Sequence, residues 1–199
     1  MLTYANQLTL LRIIFIPCFV LLLIHEHARA ATLVFILAGI TDGLDGLLAR
    51  RLAQKTSLGA FLDPMADKLL VTAAFITLTI PSIRIALHIP IWLTITAISR
   101  DLLIALAVLI IHLSTGQTKF PPTFLGKCTT AAQLATVAVA LLGNFTANYT
   151  AMLNMVIFEP LLYSTLLLTV ASGLHYFYRS VVLIESYQRA EEKNDQKGN

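Results

Sequence analysis

A chain of 199 residues that is 57% hydrophobic and only 13% charged, with a mean hydropathy of +0.76, is not built like a soluble domain, where about a quarter of residues carry charge. A net charge of +3 is too small for a nucleic-acid footprint and reads as loop bias, so no nucleic-acid partner is expected. Cys18 and Cys128 stand far apart within apolar runs, which excludes a disulfide framework or a CxxC metal site and predicts two buried free thiols.

Apolar runs predict six membrane-spanning helices, at about 8–24, 31–48, 61–80, 89–113, 125–142 and 155–183, each near the ~20 residues that a bilayer crossing needs. Helices are expected because only they or closed barrels satisfy backbone groups in lipid, and no alternation of period two is present. The expected fold is therefore all-α and integral to the membrane: one six-helix transmembrane domain over residues 1–184 and a solvated, fraying tail over 185–199. The first run carries Arg12 and Pro17 with no basic stretch before it, which does not match a removable signal. No transit segment is visible either, which points towards a bacterial inner membrane. Basic residues in short loops set orientation. Arg50, Arg51 and Lys55, Lys119, and the C-terminal Arg179, Arg189, Lys193 and Lys197 outweigh Arg29 and Arg84 on the opposite side, so both termini are expected in the cytoplasm.

Where the second run ends and the third begins, the chain reads TDGLDGLLARRLAQKTSLGAFLDPMADK. Asp42 and Asp45, at i and i+3, share one face of a helix with the small residues Gly46 and Ala49 beside them. Asp63 and Asp67, at i and i+4, share a face of the next. Pro64 predicts Asp63 as an N-cap, after a loop of about ten residues containing Gly59. Each charged aspartate within a membrane helix costs roughly 2.5–3.5 kcal/mol, and clustered like charges resist joint ionisation. Bound cations remove both costs. Oxygen-only donors with no His or Cys nearby select hard ions, Mg²⁺ or Mn²⁺.

Together, Asp42, Asp45, Gly46, Ala49, Arg50, Gly59, Asp63 and Asp67 compose D-x2-D-G-x2-A-R-x8-G-x3-D-x3-D. The pattern resembles the signature of the CDP-alcohol phosphatidyltransferases, and NQLTLLRIIFIP, ISRDLLI and PPTFLGKCTTAAQ are similar to that family as well. The resemblance implies a six-helix, usually dimeric membrane enzyme that transfers a phosphatidyl group from CDP-diacylglycerol to an alcohol and releases CMP. It implies two divalent ions held by Asp42, Asp45, Asp63 and Asp67, with Asp67 also the general base. Asp42, Gly46, Ala49, Arg50 and Gly59 would contact CDP-diacylglycerol, the glycines allowing close approach and Arg50 pairing with a phosphate.

Arg100 and Asp101 in the fourth span and Lys127 at the mouth of the fifth are the expected acceptor-binding residues, since charges inside membrane helices mark function. Structural ion pairs, Arg100–Asp101 or Asp101–Lys127, are the competing reading. Arg12 and Lys68 are candidates to reach the cytoplasmic surface on their long stems. Glycerol 3-phosphate enzymes of this family carry a second Arg eight residues after the one matching Arg100 and a second Lys two after the one matching Lys127. Here those positions are Val108 and Thr129. The resemblance therefore favours phosphatidylglycerol over glycerol 3-phosphate as acceptor, giving cardiolipin. An ion-coupled transporter is the non-enzyme alternative, but paired repeats and broken helices in both halves are absent.

Overall fold

In the computed structural model the backbone is described for residues 4–52, 57–115, 123–145 and 150–198, and side chains for 10–41, 65–114, 123–145, 152–183 and 185. The elements are α1 (Tyr4–Ile24), α2 (Ala28–Leu52), α3 (Ser57–Thr79), α4 (Ile91–Thr115), α5 (Phe124–Leu142), a short 3₁₀ turn (Gly143–Phe145), α6 (Thr150–Leu153), a π turn (Asn154–Phe158) and α7 (Glu159–Gly198). No strand occurs among the described residues. Among the described residues three stretches, Ile91–Ser114, Phe124–Phe145 and Asn154–Leu183, are long and apolar enough to cross a membrane, and Leu10–Ile24 and Ala28–Thr41 are shorter apolar helices.

Two boundaries differ from expectation. The α2–α3 connection is not a ten-residue loop: helix runs to Leu52 and resumes at Ser57, so Gly59 and Asp63 lie inside α3 and Asp63 is not its N-cap. Pro64 forfeits one backbone hydrogen bond, but beginning the helix there would forgo the intrahelical bonds to the carbonyls of residues 57–63, which costs more. The predicted tail is also helical, to Gly198, because ESYQRAEEKNDQK is rich in strong helix formers with Glu185 and Arg189 at i, i+4.

The chain forms two compact units, Met1–Ile91 with Leu134–Pro160, and Trp92–Gln133 with Leu161–Asn199. In the first, α1 packs on α2 and α3. Phe19 and Phe35 meet at a ring-centroid distance of 5.8 Å, and the buried Ala31, Ala38, Ala66 and Ala74 let helices approach closely, the usual device where lipid supplies no hydrophobic drive. Thr32 Oγ1 donates to the carbonyls of Ala28 and, at 3.3 Å, of Leu141, tying α2 to α5. Cys18 is exposed rather than buried: the buried stripe of α1 runs through Arg12, Phe19 and Leu23 and leaves Cys18 beside it.

α1 ends in an αL cap. His27 N–H donates to Leu22 O at 2.8 Å and Glu26 N–H to Leu23 O at 3.0 Å, with Glu26 at φ 63°. This is the Schellman pattern, which favours glycine at that position. A side chain there costs about 1–2 kcal/mol, and the Arg84–Glu26 ion pair, 3.6 Å apart on exposed side chains, offsets little of it. Glu26→Gly is therefore expected to stabilise the protein by about 0.5–1 kcal/mol, read as a higher unfolding temperature in detergent. A lower temperature would mean that the ion pair outweighs the strain.

In the second unit α5 runs antiparallel to α7. Tyr176 meets Thr123, Leu168 meets Thr129, and Ala132 meets Thr165. The seam between them is polar and fully buried at Thr129, Thr165, Thr169 and Ser172, with hydroxyls spent on backbone carbonyls or on Arg100. α4 lies parallel to α7: Trp92 stacks on Tyr163 at 6.0 Å, and Arg100 reaches Ser172 one helix-stretch further on.

Candidate functional site

Asp42 and Asp45, with Gly46, Ala49 and Arg50, occupy the last turns of α2, and Gly59, Asp63 and Asp67 the first half of α3. Continuous helix at both places keeps each aspartate pair on one face, as their spacing requires. Except for Asp67, the side chains of these residues lie outside the described ones. Among the described residues no group of three or more His, Cys, Asp or Glu side chains comes together.

Asp67 has a partner on another helix. Arg12 Nη1 of α1 donates to Asp67 Oδ1 at 2.6 Å. The Arg12 side chain is 1% exposed and that of Asp67 47%. Arg12 occupies the same α1 stripe as the core residues Phe19 and Leu23, and Asp67 sits between Ala66 and Leu70 on the buried side of α3. Packing of α1 on α3 thus carries a guanidinium into an apolar setting, where an unpaired charge would be prohibitive. The pairing fixes the carboxylate's direction and compensates its charge, and half-exposure keeps it reachable. Arg12 does not extend to a surface, contrary to the expectation for it; Lys68 is half-buried.

A second polar cluster sits in the other unit. Arg100 is 7% exposed. Its Nη1 donates to Asp101 Oδ1 at 3.0 Å and its Nη2 to Ser172 Oγ at 2.6 Å, its guanidinium carbon lies 5.8 Å from the centre of the Tyr176 ring, and its buried Nε meets no hydrogen-bond partner among the described residues. Tyr176 Oη accepts the N–H of Thr123 at 3.1 Å. Thr123 caps α5, its Oγ1 accepting from Gly126 N–H at 3.1 Å and its carbonyl from Lys127 N–H. Gly126 is where the cluster closes. A Cβ there would stand 3.2 Å from Thr123 Oγ1, 3.3 Å from Tyr176 Oη and 3.4 Å from Arg100 Nη2. The next residue, Lys127, is exposed.

The Arg100–Asp101 ion pair, the competing reading of these two residues in the sequence, is present, and it is embedded in hydrogen bonds beyond a simple ion pair. Arg12, Ser172, Thr123 and Tyr176 were not singled out as site residues by the sequence. Arg12 had a signal, a lone charge in an apolar run, and Thr123 lies in the family-like PPTFLGKCTTAAQ; Ser172 and Tyr176 had none. Thr129, 0% exposed, donates to Leu125 O at 2.8 Å and Leu168 O at 3.0 Å, so its hydroxyl is committed to helix packing.

A family model described as CDP-alcohol phosphatidyltransferase matches residues 2–179. The chain is 37% identical over 155 residues to a human cardiolipin synthase (CMP-forming), covering 70% of this chain and 50% of that protein. It is 32% identical over 195 residues to the CDP-diacylglycerol–glycerol-3-phosphate 3-phosphatidyltransferase of Bacillus subtilis (strain 168), covering 90% and 96%. A protein of the same name from Haemophilus influenzae is 37% identical over 176 residues, covering 85% and 88%. The chain spans about half the length of the human and rat cardiolipin synthases it matches.

Proposed function

Because this chain belongs to the CDP-alcohol phosphatidyltransferase family, we propose that it moves a phosphatidyl group from CDP-diacylglycerol to phosphatidylglycerol, releasing CMP and forming cardiolipin. The observation that carries the chemistry is Asp67: a member of the eight-residue motif, half-exposed, and aimed by a buried guanidinium 2.6 Å away. The acceptor hydroxyl oxygen bonds to the phosphatidyl phosphorus as the P–O bond to CMP breaks. The electron pair leaves with CMP, and the hydroxyl proton passes to Asp67, which must come within hydrogen-bond reach of it. Asp42, Gly46, Ala49, Arg50 and Gly59 bind CDP-diacylglycerol, while Arg100, Asp101 and Lys127 receive the acceptor. The active site faces the cytoplasm of a bacterial inner membrane, in a homodimer of six-span subunits.

The donor set is compatible with hard divalent ions: the motif supplies carboxylates alone, and Asp67 is reachable. Asp42, Asp45, Asp63 and Asp67 would hold two of them, Mg²⁺ or Mn²⁺, whose charge when bound offsets the phosphates and polarises the phosphorus centre. Excess EDTA is therefore expected to abolish turnover and added Mg²⁺ or Mn²⁺ to restore it; full turnover in EDTA would remove the metal assignment.

Phosphatidylglycerol is favoured because Thr129, where a glycerol 3-phosphate enzyme presents a cation, is buried and its hydroxyl already used twice, and Val108 carries no charge. Each missing charge-assisted phosphate contact costs about 1.5–3 kcal/mol, and a dianion needs them more than a phosphodiester does. The near full-length likeness to the Bacillus subtilis protein favours the second reading, glycerol 3-phosphate as acceptor. Family membership leaves the transporter reading without support. Purified protein given CDP-diacylglycerol and a panel of alcohols, with lipid products identified by mass spectrometry, distinguishes the two acceptors. Cardiolipin is the expected product; saturable phosphatidylglycerophosphate formation with no cardiolipin would reverse the assignment.

A further inference from the structure

Beside the Arg100 cluster the second unit carries a groove of about 440 Å³ between α4 and α7. Its walls are apolar, with Leu103, Ile104 and Ala107 on α4 and Leu174 and Phe177 on α7, and Arg100 lines it as well. The α4 residues recur at i, i+3, i+4 and i+7 from Arg100, so they form one continuous stripe leading away from it. Leu103, Leu174 and Phe177 are all exposed, so none of the described residues covers them.

Both walls belong to stretches apolar and long enough to cross a membrane. The space they frame therefore opens to hydrocarbon, and a water-soluble occupant would have to give up its hydration to enter. The one charged group on the lining is the Arg100 guanidinium, 7% exposed, which is paired with Asp101 through Nη1 and retains at Nε a buried N–H that meets no partner among the described residues. An apolar channel ending on a cation complements a molecule with an apolar chain and an anionic head. Gly173, opposite Arg100, keeps this end open: a Cβ there would touch Arg100 Cγ at 3.5 Å, and any larger side chain would grow into the groove.

We propose that the α4–α7 groove seats one acyl chain of the acceptor phospholipid and so brings its phosphodiester to Arg100. This rests on phosphatidylglycerol being the acceptor. A chain moving from bilayer to groove gains little hydrophobic energy, since lipid is as apolar as leucine. The groove therefore acts by access, deciding which headgroups reach the guanidinium, and selectivity comes from the charge.

The test uses the full-length protein in phosphatidylcholine vesicles containing phosphatidylglycerol with a photoactivatable acyl chain, followed by peptide mapping. Label is expected on the segments around 103–107 and 174–177, competed by unlabelled phosphatidylglycerol in preference to phosphatidylcholine. Ala107→Trp should weaken that label. It should also lower the ratio of turnover with long-chain to turnover with dibutanoyl phosphatidylglycerol by about tenfold, the loss of one charge-assisted contact. Label elsewhere, equal competition by phosphatidylcholine, or an unchanged ratio would each overturn the proposal. So would conversion of a dimer to a monomer by Ala107→Trp, which would make a second copy the occupant. Labelling needs no turnover, so a protein that made only phosphatidylglycerophosphate would sink the acceptor assignment while leaving the map to judge the groove.

Discussion

Asp67→Asn is expected to remove turnover while leaving a folded protein that still binds CDP-diacylglycerol. The amide oxygen can accept the Arg12 hydrogen bond that Asp67 Oδ1 accepts at 2.6 Å, but it takes the counter-charge from a buried guanidinium, so a loss of stability of about 3 kcal/mol is expected beside the loss of turnover. What the amide cannot do is take a proton from the acceptor hydroxyl or bring a negative charge to a cation. Loss of a general base alone lowers rate by about 10²–10⁴-fold. Single-turnover CMP release, measured beside CDP-diacylglycerol binding, separates the two effects. Turnover near that of the unmodified protein would mean that another group is the base.

Arg12→Gln should damage both stability and rate. Removing one partner of a fully buried pair costs about 3–5 kcal/mol. Here Asp67 is 47% exposed and water can take up part of its charge, so about 2 kcal/mol is the expected loss of stability. A carboxylate no longer held in one direction should cost about 10²-fold in kcat, the usual penalty for misplacement by about an ångström. KM for CDP-diacylglycerol should move far less, which a merely destabilised enzyme assayed below its unfolding temperature would not explain. Arg12→Lys restores the charge but not the planar fork, so partial recovery of kcat is expected. Near-normal kcat in a folded Arg12→Gln protein would strip Arg12 of any positioning role.

The aspartates were legible in the sequence because their spacing alone puts them on helix faces. The same holds for Ile91–Ser114, Phe124–Phe145 and Asn154–Leu183, whose apolar runs are long enough to cross a membrane; among the described residues, Leu10–Ile24 and Ala28–Thr41 are shorter than the spans expected there. Arg12 and Asp67 are 55 positions apart, and their meeting depends on how α1 and α3 pack, which no local pattern encodes. Pro64 misled in the other direction: its local preference is real, but the helix that contains it satisfies more backbone groups than one that begins at it. Tyr176 and Ser172 belong to a span with no motif. Their contacts with Thr123 and Arg100 arise from the register of α7 against α4 and α5.

Thr129 also bears on how such enzymes diverge. Its hydroxyl bridges the carbonyls of Leu125 and Leu168, so on the acceptor reading proposed above the residue that would have to become a cation to serve glycerol 3-phosphate is also a rivet between two helices. Exchanging it for lysine would unfasten the joint before any new ligand could be gripped. A lineage changing its substrate by this route would first have to respace α5 and α7, through substitutions that bring no catalytic advantage of their own. On that reading acceptor choice is guarded by assembly, and a single-residue swap is a poor way to re-engineer it.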